Sequence, residues 1–468
     1  MIASSPLRLR HILGWSSGGF AVAVYLGVTI NYFLFFLTQG AAIPVGMASI
    51  VLLVPRLWDV VTDPVMGAIS DRTRGRAGRR RPWILGGGLV FAISFYFMFA
   101  IPDFDADWQR AIWVTGFYML VGTAYTMFEV PLNAMLPEMS QDYRQRARLA
   151  GYNMIAIRTG LIATMLVGPY IFAADADVGA GFRRIGLFAA LVIAVASVVV
   201  FATTADAPRI ERPYKKFNLG QELAALWHNK PFKVLFCAHL LKFTGIGAAG
   251  TCVIYYLVFV LKAPPQSVGV VLSATAATAT LFLPLWMWLM QKWGKKQAYS
   301  AALLILSAAM LPLLLVGPDT FDLSFKLPFV AEAVNGAVIA VAGILIVASL
   351  GDSGAILAPN AMIPDTVEAD ELETGTRREG TILGAWAFSR KLGMALGAYG
   401  VSLVLAWSGF VQGNAVQSDA AIHGIRLGYV IFPVSCYMAA WLILRKYQLS
   451  ESRFEEIKSD LSDRSNAK

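Results

Sequence analysis

Charged residues are scarce in this chain of 468 residues. Asp, Glu, Lys and Arg make up 15% of the sequence, whereas soluble domains contain about 25%. Hydrophobic residues make up 57%, which exceeds the roughly 45–50% of soluble domains. The composition therefore excludes an ordinary soluble domain and predicts a polytopic membrane protein.

Cysteine is also rare, and its placement excludes a disulfide framework and a cysteine-based metal site. Cys237, Cys252 and Cys436 all fall inside apolar stretches, at spacings that match no metal motif. The formal net charge is +9, but the basic residues lie in short loops between apolar runs. Such a distribution is typical of a membrane orientation signal. We expect no nucleic-acid partner and no cofactor.

Long apolar runs dominate the rest of the sequence, and a bilayer core of about 30 Å needs about 20 such residues per helix. Twelve runs meet this requirement, near residues 14–38, 45–69, 83–101, 110–136, 152–174, 185–204, 232–260, 267–290, 298–316, 328–358, 380–409 and 426–444. No strand-like alternation competes with them. The predicted fold class is an all-α membrane protein with twelve transmembrane helices.

The lysines and arginines predict the orientation of these spans. If both termini are cytoplasmic, 27 of the 39 basic residues lie on the cytoplasmic side and 6 lie in the opposite loops. Positively charged residues are retained in cytoplasmic loops. The basic N-terminus leads into a run that is too long for a signal peptide, and we interpret it as an uncleaved first span. We expect an integral protein of the bacterial inner membrane, surrounded by lipid.

The longest internal loop divides the spans into six and six. Residues 205–231 are polar, charged and rich in proline. The predicted organisation is an N-terminal bundle over 1–204, a cytoplasmic linker over 205–231, a C-terminal bundle over 232–446 and a cytoplasmic tail over 447–468. Two six-helix halves joined in this way describe the major facilitator fold.

The second span carries ionisable residues that need partners or a function at membrane depth. In "RLWDVVTDP", Arg56, Asp59 and Asp63 share one helical face. Two carboxylates one turn apart, with the Thr62 hydroxyl between them, supply ligands for Na⁺ or a site for a proton. Alternatively, the two aspartates form structural salt bridges with Arg56 or with the eleventh span.

Other spans also contain ionisable residues, which usually face a bundle interior or a water-filled cavity. They are Glu129 in span 4, Arg158 in span 5, His239 and Lys242 in span 7, Asp352 in span 10, and Arg390 and Lys391 in span 11. Each of these residues could instead have a structural role, because a salt bridge or hydrogen bond to a neighbouring helix also compensates a buried charge.

Four motifs carry a resemblance to a known family. "RLWDVVTDPVMGAISDRTRGRAGRRRPWIL", "YTMFEVPLNAMLPEM", "NAMIPDTVEADELETGTRREG" and "AFSRKLGMALG" occur in this order along the chain. They resemble the helix 2 and loop signature, the helix 4 segment, the loop between helices 10 and 11, and the helix 11 segment of the glycoside–pentoside–hexuronide:cation symporters. The melibiose permease-like members of this family belong to the major facilitator superfamily.

The resemblance implies a cation-coupled symporter and assigns its sites by position. It places the cation site, for Na⁺ or H⁺, on Asp59, Thr62, Asp63 and Thr126. It places the family's sugar-binding acid on Glu129 and its helix 11 lysine on Lys391. It places acidic gate residues on Asp365, Glu368 and Glu371.

Three departures from the family pattern concern the sugar pocket. The family's helix 1 aspartate falls on Gly19, its helix 4 tryptophan on Asn133, and its helix 5 arginine on Met154, with Arg158 one turn further along. The resemblance therefore implies a retained cation site and an altered, more positive sugar site. An anionic sugar such as a hexuronide is expected, and an amphipathic, lipid-like anion is the alternative.

Two further interpretations concern the cytoplasmic side. The basic loop from Asp71 to Arg81 and the acidic segment 365–379 could pair across the halves as a gate, together with Arg56. We expect a monomer. Paired aspartates also resemble the Mg²⁺–diphosphate motif of membrane prenyltransferases, but such an enzyme needs a second acidic cluster, and here the second acidic run is expected to form a loop.

Overall fold

The computed structural model describes most of the chain as helix. The described residues are 7–73, 75, 77–140, 142–173, 177–207, 229–321, 323–326, 330, 332–375, 378–449 and 454–457. Most of the predicted linker (208–228) and of the tail (458–468) lies outside them.

The N-terminal half contains six long helical segments. α1 spans Leu9–Asn31 and continues through Phe33–Phe35 into a π-helical turn, Phe36–Gly40; α2 spans Val45–Arg72, α3 Arg81–Phe99, α4 Asp107–Met139, α5 Tyr143–Phe172 and α6 Val178–Thr203.

The C-terminal half has the same number of described segments. α7 spans Lys230–Tyr255 with a π-helical turn at Tyr256–Val260; α8 spans Pro265–Leu281 and Leu283–Trp293; α9 spans Lys295–Met310 with a 3₁₀ turn at Leu311–Leu314; α10 spans Gly336–Thr374, α11 Glu379–Trp407, and α12 Asp419–Arg426, Leu427–Ile431 and Phe432–Leu444.

Nine of the described helices are long and apolar enough to cross a membrane, and α8 is a tenth if its two parts, bent by 41°, form one span. α2 and α11 are not among the nine. They are the helices that carry Arg56, Asp59 and Asp63, and Arg390 and Lys391. The predicted helical architecture therefore holds, while the count of twelve spans stays a prediction.

The segment around α10 differs from its prediction. Residues near 328 were expected to be helical, but a short antiparallel pair of strands, β1 (Ser324–Phe325) and β2 (Val334–Asn335), precedes α10 instead. The acidic run after Pro364 was expected to form a loop, but α10 continues through Pro359 and Pro364 to Thr374. Neighbouring helices and side chains can satisfy the backbone groups that a proline frees, so the helix need not end there.

A backbone detail repeats in the two halves. Ala42, between α1 and α2, and Lys262, between α7 and α8, have φ values of 52° and 54°, in the left-handed region that residues other than glycine rarely adopt. Each follows a π-helical turn and precedes a proline that caps the next helix, Pro44 or Pro264. The repeat is a structural correspondence between the two predicted halves that was not found in the sequence.

The halves meet at the end of the bundle that carries these two loops, here called the closed end. The hydroxyls of Thr38 on α1 and Tyr255 on α7 lie 2.6 Å apart. A Cβ atom on Gly269 of α8 would lie 2.7 Å from the carbonyl oxygen of Met165 on α5. The backbones of α5 and α8 are therefore in close contact at the closed end.

Candidate transport site

The charged face of α2 is buried inside the bundle. The Asp59 residue is 3% exposed, and its Oδ2 lies 3.6 Å from Nη1 of Arg56, one turn earlier. The Arg56 guanidinium also lies 5.5 Å from the ring centre of Tyr118 on α4. A buried carboxylate needs a compensating charge, and Arg56 supplies it to Asp59.

The second carboxylate oxygen of Asp59 has no such partner. Asp59 Oδ1 is buried and makes no hydrogen bond. It packs against Gly122 of α4, where a Cβ atom would lie only 2.4 Å away. An orphaned carboxylate oxygen in a buried place is costly, and it is available to a proton or to a small cation. Glycine at position 122 is what allows this close approach.

Asp63 joins the two halves of the molecule. Thr126 of α4 donates a hydrogen bond of 2.7 Å to its Oδ1, and Lys391 of α11 donates one of 2.5 Å to its Oδ2. Asp63 therefore contacts Thr126, which the resemblance assigns to the same cation site, and also forms the salt bridge to the eleventh span that was the structural alternative. In this state the ammonium group of Lys391 neutralises Asp63.

Not every predicted cation ligand faces this cluster. The Thr62 hydroxyl lies 3.4 Å from the Asp59 carbonyl oxygen of its own helix.

The predicted substrate residues of α4 differ in exposure. Glu129 is half-buried and lies close enough to Asp59 and Tyr125 to interact with them electrostatically. Asn133 follows Glu129 one turn later on α4 and is exposed.

Gly19, where the family has an aspartate, is closely packed. It is buried where α1 packs on α5, and a Cβ atom there would lie 2.1 Å from Oδ1 of Asn153. The place of a helix 1 side chain is therefore filled by Asn153. Asn153 Oδ1 is itself buried without a hydrogen bond.

Two arginines carry charge without an ion pair. Within the described part of the chain, Arg158 of α5 and Arg390 of α11 are partly buried and make no salt bridge. Arg390 lies within electrostatic range of Tyr125. Met154, one turn before Arg158, is 54% exposed. Unpaired guanidinium groups of this kind are available to an anion.

The gate residues have described partners inside their own halves. Asp365 accepts hydrogen bonds of 2.8 and 2.7 Å from Lys295 of α9, and Glu138 of α4 binds Arg79 and Arg80 of the basic loop. Both contacts lie within one half, and the pairing of the basic loop with the acidic segment across the halves stays a prediction. Glu368 and Glu371 lie on α10, where the Glu368 Oε2 is buried without a hydrogen bond. The Asp71 side chain is outside the described residues.

Sequence reasoning missed the residues that shape the cluster. Tyr25 of α1 and Tyr125 of α4 pack with ring centres 4.8 Å apart, and the Lys391 ammonium lies 5.5 Å from the Tyr125 ring centre. Gly122 and Asn153 also went unnoticed. Tyr125 precedes Glu129 by four residues on α4, so the two lie on the same helical face. This spacing could have identified Tyr125 as a neighbour of the site.

No group of three or more His, Cys, Asp or Glu side chains that could hold a metal occurs among the described residues. The cations next to Asp59 and Asp63 are Arg56 and Lys391, which belong to the protein. Each of the two aspartates thus lies beside a positively charged side chain of the protein.

Comparison with known proteins identifies the family. A family model described as MFS/sugar transport protein matches residues 14–451. The chain belongs to this family. Membership confirms the predicted membrane-transporter architecture, and it identifies a transporter family, so the prenyltransferase alternative is set aside.

Relatives and solved structures extend over nearly the whole chain. The glucuronide carrier protein homolog of Escherichia coli is 25% identical over 98% of this chain and 97% of its own. The isoprimeverose transporter of Lactiplantibacillus pentosus is 24% identical, covering 96% and 92%. A crystal structure of a mutant of the nucleoside transporter NupG superimposes with a TM-score of 0.66 at 12% identity, over 93% of this chain and 99% of that chain. The last similarity shows the fold alone.

Proposed function

We propose that the protein is a cation-coupled symporter that carries an anionic sugar or glycoside across the bacterial inner membrane by alternating access. Both termini lie in the cytoplasm, as the bias of basic residues indicates. The observation that carries the proposal is the bridge from Lys391 to Asp63, which joins α11 to α2 through a charge that a transported cation can replace.

The bridge suggests how cation and substrate are coupled. A proton or Na⁺ that binds at Asp59 and Asp63 neutralises Asp63 and releases the Lys391 ammonium. Lys391 is then free to meet a carboxylate on the substrate. Each ligand thus favours the state that binds the other, and the coupling free energy is the same in both directions.

The charges of the cavity favour an anion over a neutral sugar. Lys391 contacts Asp63, the partly buried Arg158 and Arg390 add two further positive groups on α5 and α11, and Glu129 remains as an acceptor for sugar hydroxyls. The name of the glucuronide carrier homolog agrees with this class of substrate. The name of the isoprimeverose transporter agrees with a sugar substrate more generally.

A binding comparison tests the substrate class. We expect purified protein to bind methyl β-D-glucuronide about ten- to a hundredfold more tightly than methyl β-D-glucoside, because a charge-assisted hydrogen bond contributes about 1.5–3 kcal/mol. Calorimetry at one pH, with and without Na⁺, measures both affinities. Lys391→Gln should remove the preference, and Lys230→Gln, at the exposed start of α7, should not. Preference for the glucoside in the native protein would contradict the anionic class.

A further inference from the structure

A second set of buried charges lies in the C-terminal half, away from the α2 cluster. Lys242 of α7 is 0% exposed, and its Nζ makes no hydrogen bond. Its charge partner is Asp352 of α10, whose Oδ1 lies 3.7 Å from Nζ. The proposed carboxylate site at Asp59 and Asp63 does not use this pair.

The pair is weak as a structural salt bridge. An ammonium group can donate three hydrogen bonds, and here it donates none, while the Phe243 ring centre lies 4.3 Å away. A buried ion pair offsets the loss of hydration only with good geometry and further hydrogen bonds. Lysine in such a place readily gives up its proton. The neutral amine is therefore an accessible state of Lys242.

Asp352 provides the route by which a proton can leave. Its Oδ1 is buried toward Lys242 without a hydrogen bond, yet the side chain as a whole is 32% exposed. An N–H bond of the Lys242 ammonium breaks, and the proton forms an O–H bond with the Asp352 carboxylate. The two groups become an amine and a carboxylic acid. The acid then passes the proton to water, and recharging reverses these steps.

The surrounding groups bias this exchange. His239, one turn earlier on α7, lies within electrostatic range of Lys242 and of Arg390 on α11. Its Nδ1 lies 2.7 Å from the Ser389 hydroxyl. Tyr437 of α12 lies close enough to Asp352 for the two side chains to interact electrostatically. The burial of Lys242 disfavours its charged form, and the neighbouring Asp352 carboxylate favours it.

We propose that Lys242 and Asp352 form a proton-binding site in the C-terminal half that takes up and releases one proton in each transport cycle. This inference rests on the proposed symport and adds to it a second coupling site on the opposite half. Proton movement at α7 and α10 would then accompany cation movement at α2.

A titration without any substrate tests the proton site directly. In protein labelled with ¹⁵N-lysine, the Nζ signal of Lys242 is identified by its loss in Lys242→Met. We expect Lys242 to lose its proton at a lower pH than Lys230, an exposed lysine on the same helix. Asp352→Asn should widen this difference. If Lys242 holds its proton to as high a pH as Lys230, the proposal is wrong.

Transport then tests the coupling. In proteoliposomes, with methyl β-D-glucuronide as the probe and a pH-sensitive dye, Lys242→Met should lower the number of protons moved per probe molecule by one and retain probe exchange. Lys242→Met with Asp352→Asn, which removes both charges, should behave in the same way if the single variant folds poorly. Lys230→Met should keep the native ratio.

The outcomes separate the two proposals. An unchanged proton ratio in the Lys242 variants would show that Lys242 and Asp352 form a structural pair only. A native protein that does not move the probe would contradict the proposed substrate class, while the lysine titration would still decide whether the proton site exists.

Discussion

Asp59 and Asp63 occupy different environments although they are one turn apart on α2. Asp63 has both oxygens engaged, one by Thr126 and one by Lys391. Asp59 has one oxygen near Arg56 and one without a partner. A cation or proton that enters the proposed site would bind the unpaired oxygen of Asp59. At Asp63 it would displace the ammonium group of Lys391. The proposed cation site therefore contains two carboxylates with different partners.

Neutralising either carboxylate should uncouple transport. Asp59→Asn or Asp63→Asn is expected to abolish accumulation of substrate against its gradient, because an amide cannot bind and release the coupling cation. Substrate exchange should persist at least in part, since Glu129 and Lys391 are unchanged. Uptake and counterflow of radiolabelled methyl β-D-glucuronide in membrane vesicles measure the two activities. Accumulation by both variants would show that these residues are wrongly assigned.

Gly122 offers a subtler test of the same site. In Gly122→Ala the new Cβ would meet Asp59 Oδ1 at 2.4 Å, so the carboxylate must move. We expect the apparent affinity for the coupling cation to fall by at least about tenfold, which corresponds to about 1.4 kcal/mol. The dependence of transport on Na⁺ concentration and on pH measures this change.

Gly116→Ala is the matched control for this test. Gly116 lies on the same helix, and a Cβ there would meet no atom within 4 Å. The control should leave cation dependence unchanged. Equal behaviour of the two alanine variants would argue against the close packing of Asp59 on α4 as a determinant of cation binding.

At the scale of the helices, glycines allow the backbones of neighbouring helices to pack in direct contact. α7 and α11 pack so closely that a Cβ on Gly397 would lie 2.1 Å from the Thr244 carbonyl oxygen, and one on Gly393 would lie 2.5 Å from that of Leu240. Small residues permit such contacts between membrane helices. The same pair of helices carries Lys242, His239 and Lys391, so their packing positions both charged clusters.

Gly397→Ala is expected to destabilise the protein by about 1–3 kcal/mol, because a side chain inserted into a filled contact forces the helices apart. Gly384→Ala on the same helix meets no atom within 4 Å and should stabilise α11 by up to about 1 kcal/mol through helix propensity. Thermal unfolding of the two variants in one detergent provides the comparison. A lower melting temperature for Gly384→Ala than for Gly397→Ala would contradict the packing described here.

The sequence predicted helices better than contacts. Apolar runs locate most of the helical segments because burial in lipid demands long apolar stretches. The end of α10 was mispredicted because the apolar run stops near residue 358, whereas the helix continues through a polar, acidic segment to Thr374. The Gly19–Asn153 contact was out of reach, since it depends on how α1 and α5 pack over a long sequence separation. The Asp63–Lys391 bridge was one of the alternatives, because each residue already needed a partner.

At the scale of the whole molecule, the topology rests on the basic loops. The loop between α2 and α3 contains several of the arginines that predict a cytoplasmic location. A cysteine at Ala77, in a variant with the three native cysteines replaced by serine, should react with an impermeant maleimide in inverted vesicles and not in intact cells. Labelling in intact cells would show that this loop lies outside the cell and that the proposed orientation is wrong.

The closed end makes a further prediction about alternating access. If the termini are cytoplasmic, the closed end faces outward, and opening it requires α5 and α8 to separate. Gly269→Leu should hold these helices apart, because even a Cβ would lie 2.7 Å from the Met165 carbonyl oxygen. Thr38, fully buried at this end, then becomes accessible, and Thr38→Cys should react with an impermeant maleimide added outside. Gly46→Leu, where a Cβ meets no atom within 4 Å, should leave it protected. Equal labelling in the two leucine variants would mean that the contact of α5 with α8 does not keep the outside closed.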